Sequence, residues 1–279
     1  MSTSGATLVI GATGTTGRRV TAGLTAEGHR VKAAGRSATP VAGAQAVRFD
    51  WNEPSTWDGA LDGADRAYLV PPIGSSDPAA VMLPFLRRAR AAGVQRAVLL
   101  SSSAIPAGGP AVGQVHQALP GLFDRWAVLR PSWFMQNFTG SMPHARTIRE
   151  DGLILTATGD GRVAFIDAED IAAVAVRALT DDDAPDTDLL LTGPQALSYD
   201  DVAAIVTEVT GRPVVHRRLT FEEARDRWAT GMPLEFATML AAMDGAIADG
   251  AEDRTSDLVQ RLTGRPPGTF RAFAERNLV

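Results

Sequence analysis

Leu8-Val9-Ile10-Gly11-Ala12-Thr13-Gly14-Thr15-Thr16-Gly17-Arg18-Arg19-Val20 runs from an apolar strand, through a tight glycine turn, into the first turn of a helix. Its glycines follow G-x-x-G-x-x-G spacing, and each has its own reason to lack a side chain. Gly11 lets the chain turn sharply out of the strand. Gly14 opens the backbone, beside Thr13, to close approach by a pyrophosphate, and Gly17 lets the helix lie tightly on the strand. The N–H groups of the helix start, near Thr15 and Thr16, then face the phosphates of a dinucleotide, where the helix dipole favours negative charge. Glycine triplets also occur in ordinary turns. The placement of this one between an apolar strand and an amphipathic run supports the dinucleotide reading.

The helix is expected from about Thr16 to Glu27, with Val20 and Leu24 facing the sheet and Gly28 ending it. A second strand, Arg30 to Gly35, leads to Arg36 and Ser37. A protein selective for NAD places an acid about 20 residues past the glycines, on the ribose 2′-hydroxyl. Here no acid occurs between Glu27 and Asp50. Arg36 stands in that place, and a guanidinium suits the 2′-phosphate of NADP(H). Arg18 or Arg19 is within reach of the same phosphate.

The alternation continues. A third strand, Ala46 to Phe49, ends at Asp50, which either accepts from the adenine amino group or shapes a turn. Trp57 and Leu61 mark a short helix. A fourth strand ends at Val70 and is closed by Pro71-Pro72, at a carboxyl end where ligands sit in open α/β sheets. The Gly-Ser-Ser-Asp-Pro stretch over 74–78 reads as a loop over the cofactor. A helix from Pro78 to about Ala92 and a fifth strand, Ala97 to Leu100, lead to Ser101-Ser102-Ser103. After a Pro/Gly-rich loop, Val115 to Phe123 is weakly helical and interrupted by Pro120-Gly121; a sixth strand, Trp126 to Arg130, stops at Pro131. Trp133, Phe134, Met135, Gln136, Asn137 and Phe138 form an aromatic, amide-rich segment. Ile154 to Thr158 and Val163 to Ile166 resemble a pair of strands. A helix opens at Asp167 to Asp170, Leu189 to Leu191 is a last sheet strand, and Ser198 caps a helix ended by Gly211. From about Thr220 the chain is helical, with Met232, Phe236, Met239, Leu240 and Met243 forming either a core stripe or an adaptable wall over a substrate.

Composition narrows the function. The chain has 279 residues, net charge −5 and no cysteine. It lacks the basic tract that nucleic-acid binding requires and any apolar run of membrane-spanning length. The four histidines show no metal-ligand spacing. The expected protein is cytoplasmic, a monomer or homodimer, acting on a small molecule, with no metal, nucleic acid or membrane.

The segments Gly11 to Gly17, Gly28-His29-Arg30-Val31 with Arg36, Leu100 to Ala104, Leu129 to Phe138 and Leu191-Thr192-Gly193-Pro194 together resemble the NmrA-like group of atypical short-chain dehydrogenases/reductases, in its festuclavine-dehydrogenase-like branch of ergot alkaloid biosynthesis. The resemblance implies an α/β fold, a doubly wound parallel-sheet Rossmann fold of about seven strands with helices on both faces. It implies a single NAD(P)-binding domain over 1–279, with a small, mostly helical C-terminal substrate lobe built from about 132–166 and 193–279. Pro71, Pro72 and the backbone of Ser101 and Ser102 would contact the cofactor. Pro131 to Phe134 would flank the nicotinamide, and Trp133, Phe134, Asn137 and Phe138 would meet the substrate.

One departure matters. Most short-chain dehydrogenases pair a serine with a Tyr-x-x-x-Lys motif. Ser103 fits the serine, but of 27 basic residues the single lysine is Lys32, on the second strand. The motif's place holds Val112 and His116. Carbonyl reduction leaves an alkoxide that gains roughly 10²–10⁴-fold in rate from a proton donor. Iminium reduction needs none, and a quinone is intermediate. The sequence thus points to hydride transfer from NADPH to an iminium, imine, quinone or related conjugated molecule. His116 is then either a proton donor or a histidine that only holds ribose or lies on the helix surface. A non-catalytic NADP(H) sensor and a non-redox isomerase or cyclase are the alternatives.

Overall fold

The computed structural model describes residues 5–75 and 77–279. The expected loop over 74–78 and the start of the chain therefore fall partly outside the described residues. In chain order, β1 (Ala6–Ile10), α1 (Gly17–Ala26), β2 (Val31–Gly35) and β3 (Gln45–Arg48) open the fold. There follow α2 (Trp57–Leu61), β4 (Ala64–Leu69), α3 (Pro78–Ala91), β5 (Arg96–Leu100), α4 (Gly113–Leu122) and β6 (Arg125–Pro131). Next come α5 (Pro143–Asp151), β7 (Leu153–Thr156), β8 (Arg162–Val163), α6 (Ala168–Thr180), β9 (Thr187–Leu191) and β10 (Leu197–Ser198). The chain ends with α7 (Tyr199–Thr210), β11 (Val215–Arg218), α8 (Phe221–Ala229), α9 (Leu234–Ala248), α10 (Leu258–Thr263) and α11 (Phe270–Asn277).

The elements form two compact units. The first holds the chain up to Pro131, Ala168–Leu191 and Arg261–Gly264. Its parallel sheet has seven strands in the order β3-β2-β1-β4-β5-β6-β9, a doubly wound α/β arrangement. β1 is buried along its whole length, as a parallel strand covered on both faces must be. Phe49, Trp51, Trp57 and Phe85 lock edge-to-face at 4.9–5.4 Å and fill the core on one side. The strand order reverses between β1 and β4, so the turn after β1 opens at the position where such sheets bind ligands.

The second unit holds Ser132–Asp167, Thr192–Gln260 and Arg265–Val279. Its core is a ring cluster of Phe138, Phe165, Tyr199, Phe270 and Phe273 with aliphatic neighbours. Ser198 caps α7 in a reciprocal pair with Asp201, and Gly211 closes it at φ 69°.

Three expectations are corrected. Pro120 does not interrupt α4, which runs unbroken to Leu122, its last turn held by buried Leu119 and Phe123. The segments at 154–158 and 163–166 do not pair with each other. β7 pairs in parallel with β11 and β8 antiparallel with β10, because these short strands find partners far along the chain. The core reading of the methionine stripe fails. α9 turns Ala237, Ala241, Asp244 and Ile247 inward, while Leu234, Phe236 and Met239 stand exposed.

Candidate functional site

The glycine turn has the geometry a dinucleotide needs. Gly11 takes φ +73°, where a side chain would be strained and a Cβ would meet Val70 at 3.3 Å. A Cβ on Gly17 would come within 2.1 Å of the Gly11 carbonyl oxygen, so only glycine allows α1 to start so close to the turn. The Gly14 N–H donates to Gly11 O at 2.9 Å, while Thr13, Gly14 and Thr15 lie exposed. α1 has no side-chain cap. Among the described residues, no acceptor takes the backbone N–H groups of Thr13, Thr15 or Thr16. Unclaimed donors at a helix start form an anion site.

Beside this turn, β2 delivers Arg36 and Ser37 to the rim of a cleft of about 130 Å³, whose lining includes Thr13, Gly35 and Thr39. Among the described residues no carboxylate pairs with Arg36. Arg19, by contrast, is committed, through Nε to Glu169 at 2.7 Å and Nη1 to the Thr15 carbonyl at 2.8 Å. Asp50 acts in its own turn. Its Oδ1 accepts the Asn52 N–H at 2.9 Å and its carbonyl accepts Trp57 Nε1 at 3.0 Å. Val70, Pro71 and Pro72 are half-buried past β4, and the Val70 carbonyl takes Trp51 Nε1 at 3.1 Å.

At the carboxyl ends of β5 and β6 the backbone of Ser103 is held from two sides. Its N–H donates to Pro131 O at 2.9 Å, and its carbonyl accepts from Arg130 Nη2 at 2.9 Å. Arg130 Nη1 also donates to Asp188 at 2.7 Å. Ser102 Oγ accepts the Ala104 N–H at 3.3 Å, and Ser101 Oγ is buried without a partner. His116 is buried at 5 % exposure, which removes the surface-histidine alternative. Burial lowers its pKa, opposed by the Asp188 charge and reinforced by Arg130, so the ring is neutral at neutral pH. Its Nδ1 has no partner. Sequence reasoning missed the Arg130–Asp188 tether, since nothing in the spacing joins a residue of β6 to one of β9.

Lys32 is engaged elsewhere. Its ammonium donates to the carbonyls of Gly59 at 2.8 Å and Asp62 at 2.6 Å, and burial lowers its pKa. Tyr68 is fully buried in β4, and burial pushes its hydroxyl pKa far up.

In the second unit Trp133, Phe134 and Asn137 are half-buried. Their segment is pinned by backbone bonds of 2.9 Å from Met135 N–H to Ile166 O and from Ile166 N–H to Trp133 O. Gln136 and Arg276 both donate to Asp167, at 2.8 and 2.9 Å. Phe138, expected against substrate, is instead a core residue. It is 1 % exposed, with ring centroids 5.2 Å from Phe270 and 5.3 Å from Phe165. An apolar ring two residues before a glycine, Gly140, reads the same in sequence whichever way it faces. Among the described residues, no helix is long and apolar enough to cross a membrane, and no cluster of His, Cys, Asp or Glu is placed to hold a metal ion.

Comparison with known proteins gives the family of the chain. Residues 11–125 match the NAD(P)H-binding family profile, and residues 125–263 match the NmrA-like family profile. The chain is 43% identical over 268 residues to an uncharacterized oxidoreductase of Bacillus subtilis, covering 96% of this chain and 93% of that protein. It is 38% identical over 280 residues to festuclavine dehydrogenase of Aspergillus fumigatus, covering 96% of each. Among solved structures, triphenylmethane reductase of Citrobacter sp. complexed with NADP(H) superposes with a TM-score of 0.79 at 26% identity, covering 98% of this chain and 99% of that one.

Proposed function

The chain belongs to the NmrA-like family of NAD(P)H-binding oxidoreductases, and from that premise we propose that it is an NADPH-dependent reductase of iminium, imine, quinone or related conjugated small molecules, working without a Tyr-Lys pair. Bound NADPH supplies the hydride. The N–H groups of Thr13, Thr15 and Thr16 hold the pyrophosphate, and Gly14 gives it room. Arg36 and Ser37 take the 2′-phosphate, and the half-buried Val70, Pro71 and Pro72 border the cofactor. Ser101, Ser102 and Pro131 line the nicotinamide end, where Arg130 fixes the Ser103 backbone. Trp133, Phe134 and Asn137 offer the acceptor aromatic and amide contacts.

The reading is carried by one observation. The only lysine of the chain, Lys32 on β2, is tied to the carbonyls of Gly59 and Asp62 at α2, so its ammonium is not available to activate a tyrosine. Acceptors whose reduction demands least proton donation are therefore favoured. Neutral, buried His116, whose pKa feels the charges of Asp188 and Arg130, is the residue to which this reading assigns holding or passing a proton where one is needed. The protein acts as a soluble enzyme in the cytoplasm. The test is NADPH oxidation across a panel of cyclic iminium ions, quinones and simple ketones. Turnover of the first two with ketones inert is expected. Inactivity on both overturns the reading.

A further inference from the structure

The second unit contains an open cavity of about 310 Å³ for which the proposed reaction has no use. That volume lies at the small end of the roughly 300–1,000 Å³ of ligand sites. None of the residues proposed to meet the cofactor or the acceptor lines it. α5 contributes Ile148 and Arg149, and α7 contributes Val206. Arg212 and Val214 come from the link between α7 and β11, and Leu278 follows α11. The lining is graded. Val206 and Val214 are buried and Ile148 and Leu278 half-buried, while both arginines are exposed. The charges therefore stand at the mouth and the aliphatic groups lie deeper.

The two cations have no acid of their own. Arg149, in the last turn of α5, donates through Nη1 to the Gly140 carbonyl at 2.7 Å. Arg212 donates through Nη2 to the Arg149 carbonyl at 3.0 Å, which also serves the end of α5. Each bond uses part of a five-donor fork and brings no negative charge. Among the described residues no carboxylate pairs with either guanidinium, that of Val279 at the same cavity included. Acids are not scarce. The net charge is −5, and other arginines of this unit find them, Arg162 on Asp201, Arg271 on Glu208 and Arg276 on Asp167. Two like charges on one cavity repel each other, and a guanidinium fork matches a carboxylate. The aliphatic lining decides against a bare inorganic ion. An apolar chain would take Ile148 and Leu278 out of water and fill the space against Val206 and Val214, which a hydrated ion does not.

We propose that this cavity is a second ligand site, for an amphipathic carboxylate: a small acid with an apolar chain. Its head lies on Arg149 and Arg212 and its chain runs inward along Ile148, Val206 and Val214. The proposal goes beyond the reductase reading and does not depend on it.

The test uses the full chain with saturating NADP⁺, which keeps the probes off the cofactor cleft. Octanoate, octanol and inorganic phosphate are titrated calorimetrically at neutral pH. Octanoate is expected to bind at least about tenfold tighter than either of the others, because only it has both the charge and the chain. The double variant Arg149→Gln/Arg212→Gln keeps a donor at each place and removes both charges. It should weaken octanoate about tenfold to a hundredfold and leave octanol and NADP⁺ unchanged. Octanol binding as tightly as octanoate overturns the proposal, and so does phosphate doing the same. No octanoate binding to the parent, an unchanged affinity in the variant, or an equal loss of octanol overturns it too. Should the variant not fold, the parent's ranking of the three probes decides. Failure here leaves NADPH turnover untouched, and failure of turnover on the acceptor panel leaves this site untouched.

Discussion

Arg36 follows β2, and among the described residues no carboxylate pairs with it; a cleft of about 130 Å³ lies beside it. A guanidinium–phosphate contact contributes roughly 1.5–3 kcal/mol when both partners are charged. Arg36→Ala is therefore expected to weaken NADPH about tenfold to a hundredfold while leaving NADH nearly unchanged. An unaltered ratio of the two affinities, measured by fluorescence titration, refutes the assignment. Asp244 gives a prediction of opposite kind. Burial raises its pKa from 3.8 to about 6, against the opposing pull of the Ala157 N–H and Arg227. The native state thus binds a proton that the unfolded chain has released, so this group's contribution to stability falls as pH rises from about 4 to 6. Asp244→Asn removes that loss. Denaturant titrations should find the variant more stable than the parent by up to about 3 kcal/mol at pH 7, with the difference vanishing near pH 4. The glycines and Arg36 were legible in the sequence because each answers a local demand: a positive φ, a close approach, a missing acid. Asp244 was not, because its meaning depends on Ala157 and Tyr199, far away along the chain.

At the scale of elements, α9 and the segment around Phe138 exchange roles. The methionine stripe suggested a core face and Phe138 a substrate contact. The helix instead packs through Ala237 and Ala241, small residues that allow close approach, and presents Phe236 and Met239 to solvent. Truncating the two kinds of residue should separate them. Phe138→Ala is expected to cost about 3–5 kcal/mol through cavity formation. Met239→Ala should stay within about 0.5 kcal/mol. Thermal unfolding of both variants checks this, and a large loss at Met239 would restore the core reading. The capping pair of Ser198 and Asp201 was legible, being a four-residue signal. The partners of β7 and β8 were not, since strands of four and two residues carry too little pattern to choose a mate about 60 or 35 residues away.

For the whole chain, the regular alternation of apolar strands and amphipathic helices made the seven-stranded parallel sheet readable. Each parallel pair needs a crossover of its own, and the sequence displays those crossovers one after another. Ligand binding to the native state should register globally. Saturating NADP⁺ at about a hundredfold over its Kd is expected to stabilise the protein by about 2.7 kcal/mol. That gain should fall to about 0.4–1.4 kcal/mol at the same concentration in Arg36→Ala, and equal protection of both proteins would count against the cleft. The burial of Lys32 has a practical consequence. With its ammonium held by two carbonyls, and with no cysteine anywhere in the chain, the protein offers acylating reagents no accessible lysine and alkylating reagents no thiol. A single Thr39→Cys on the exposed rim of the cleft would then accept one dye at one place, turning cofactor arrival into an optical signal without prior removal of competing groups.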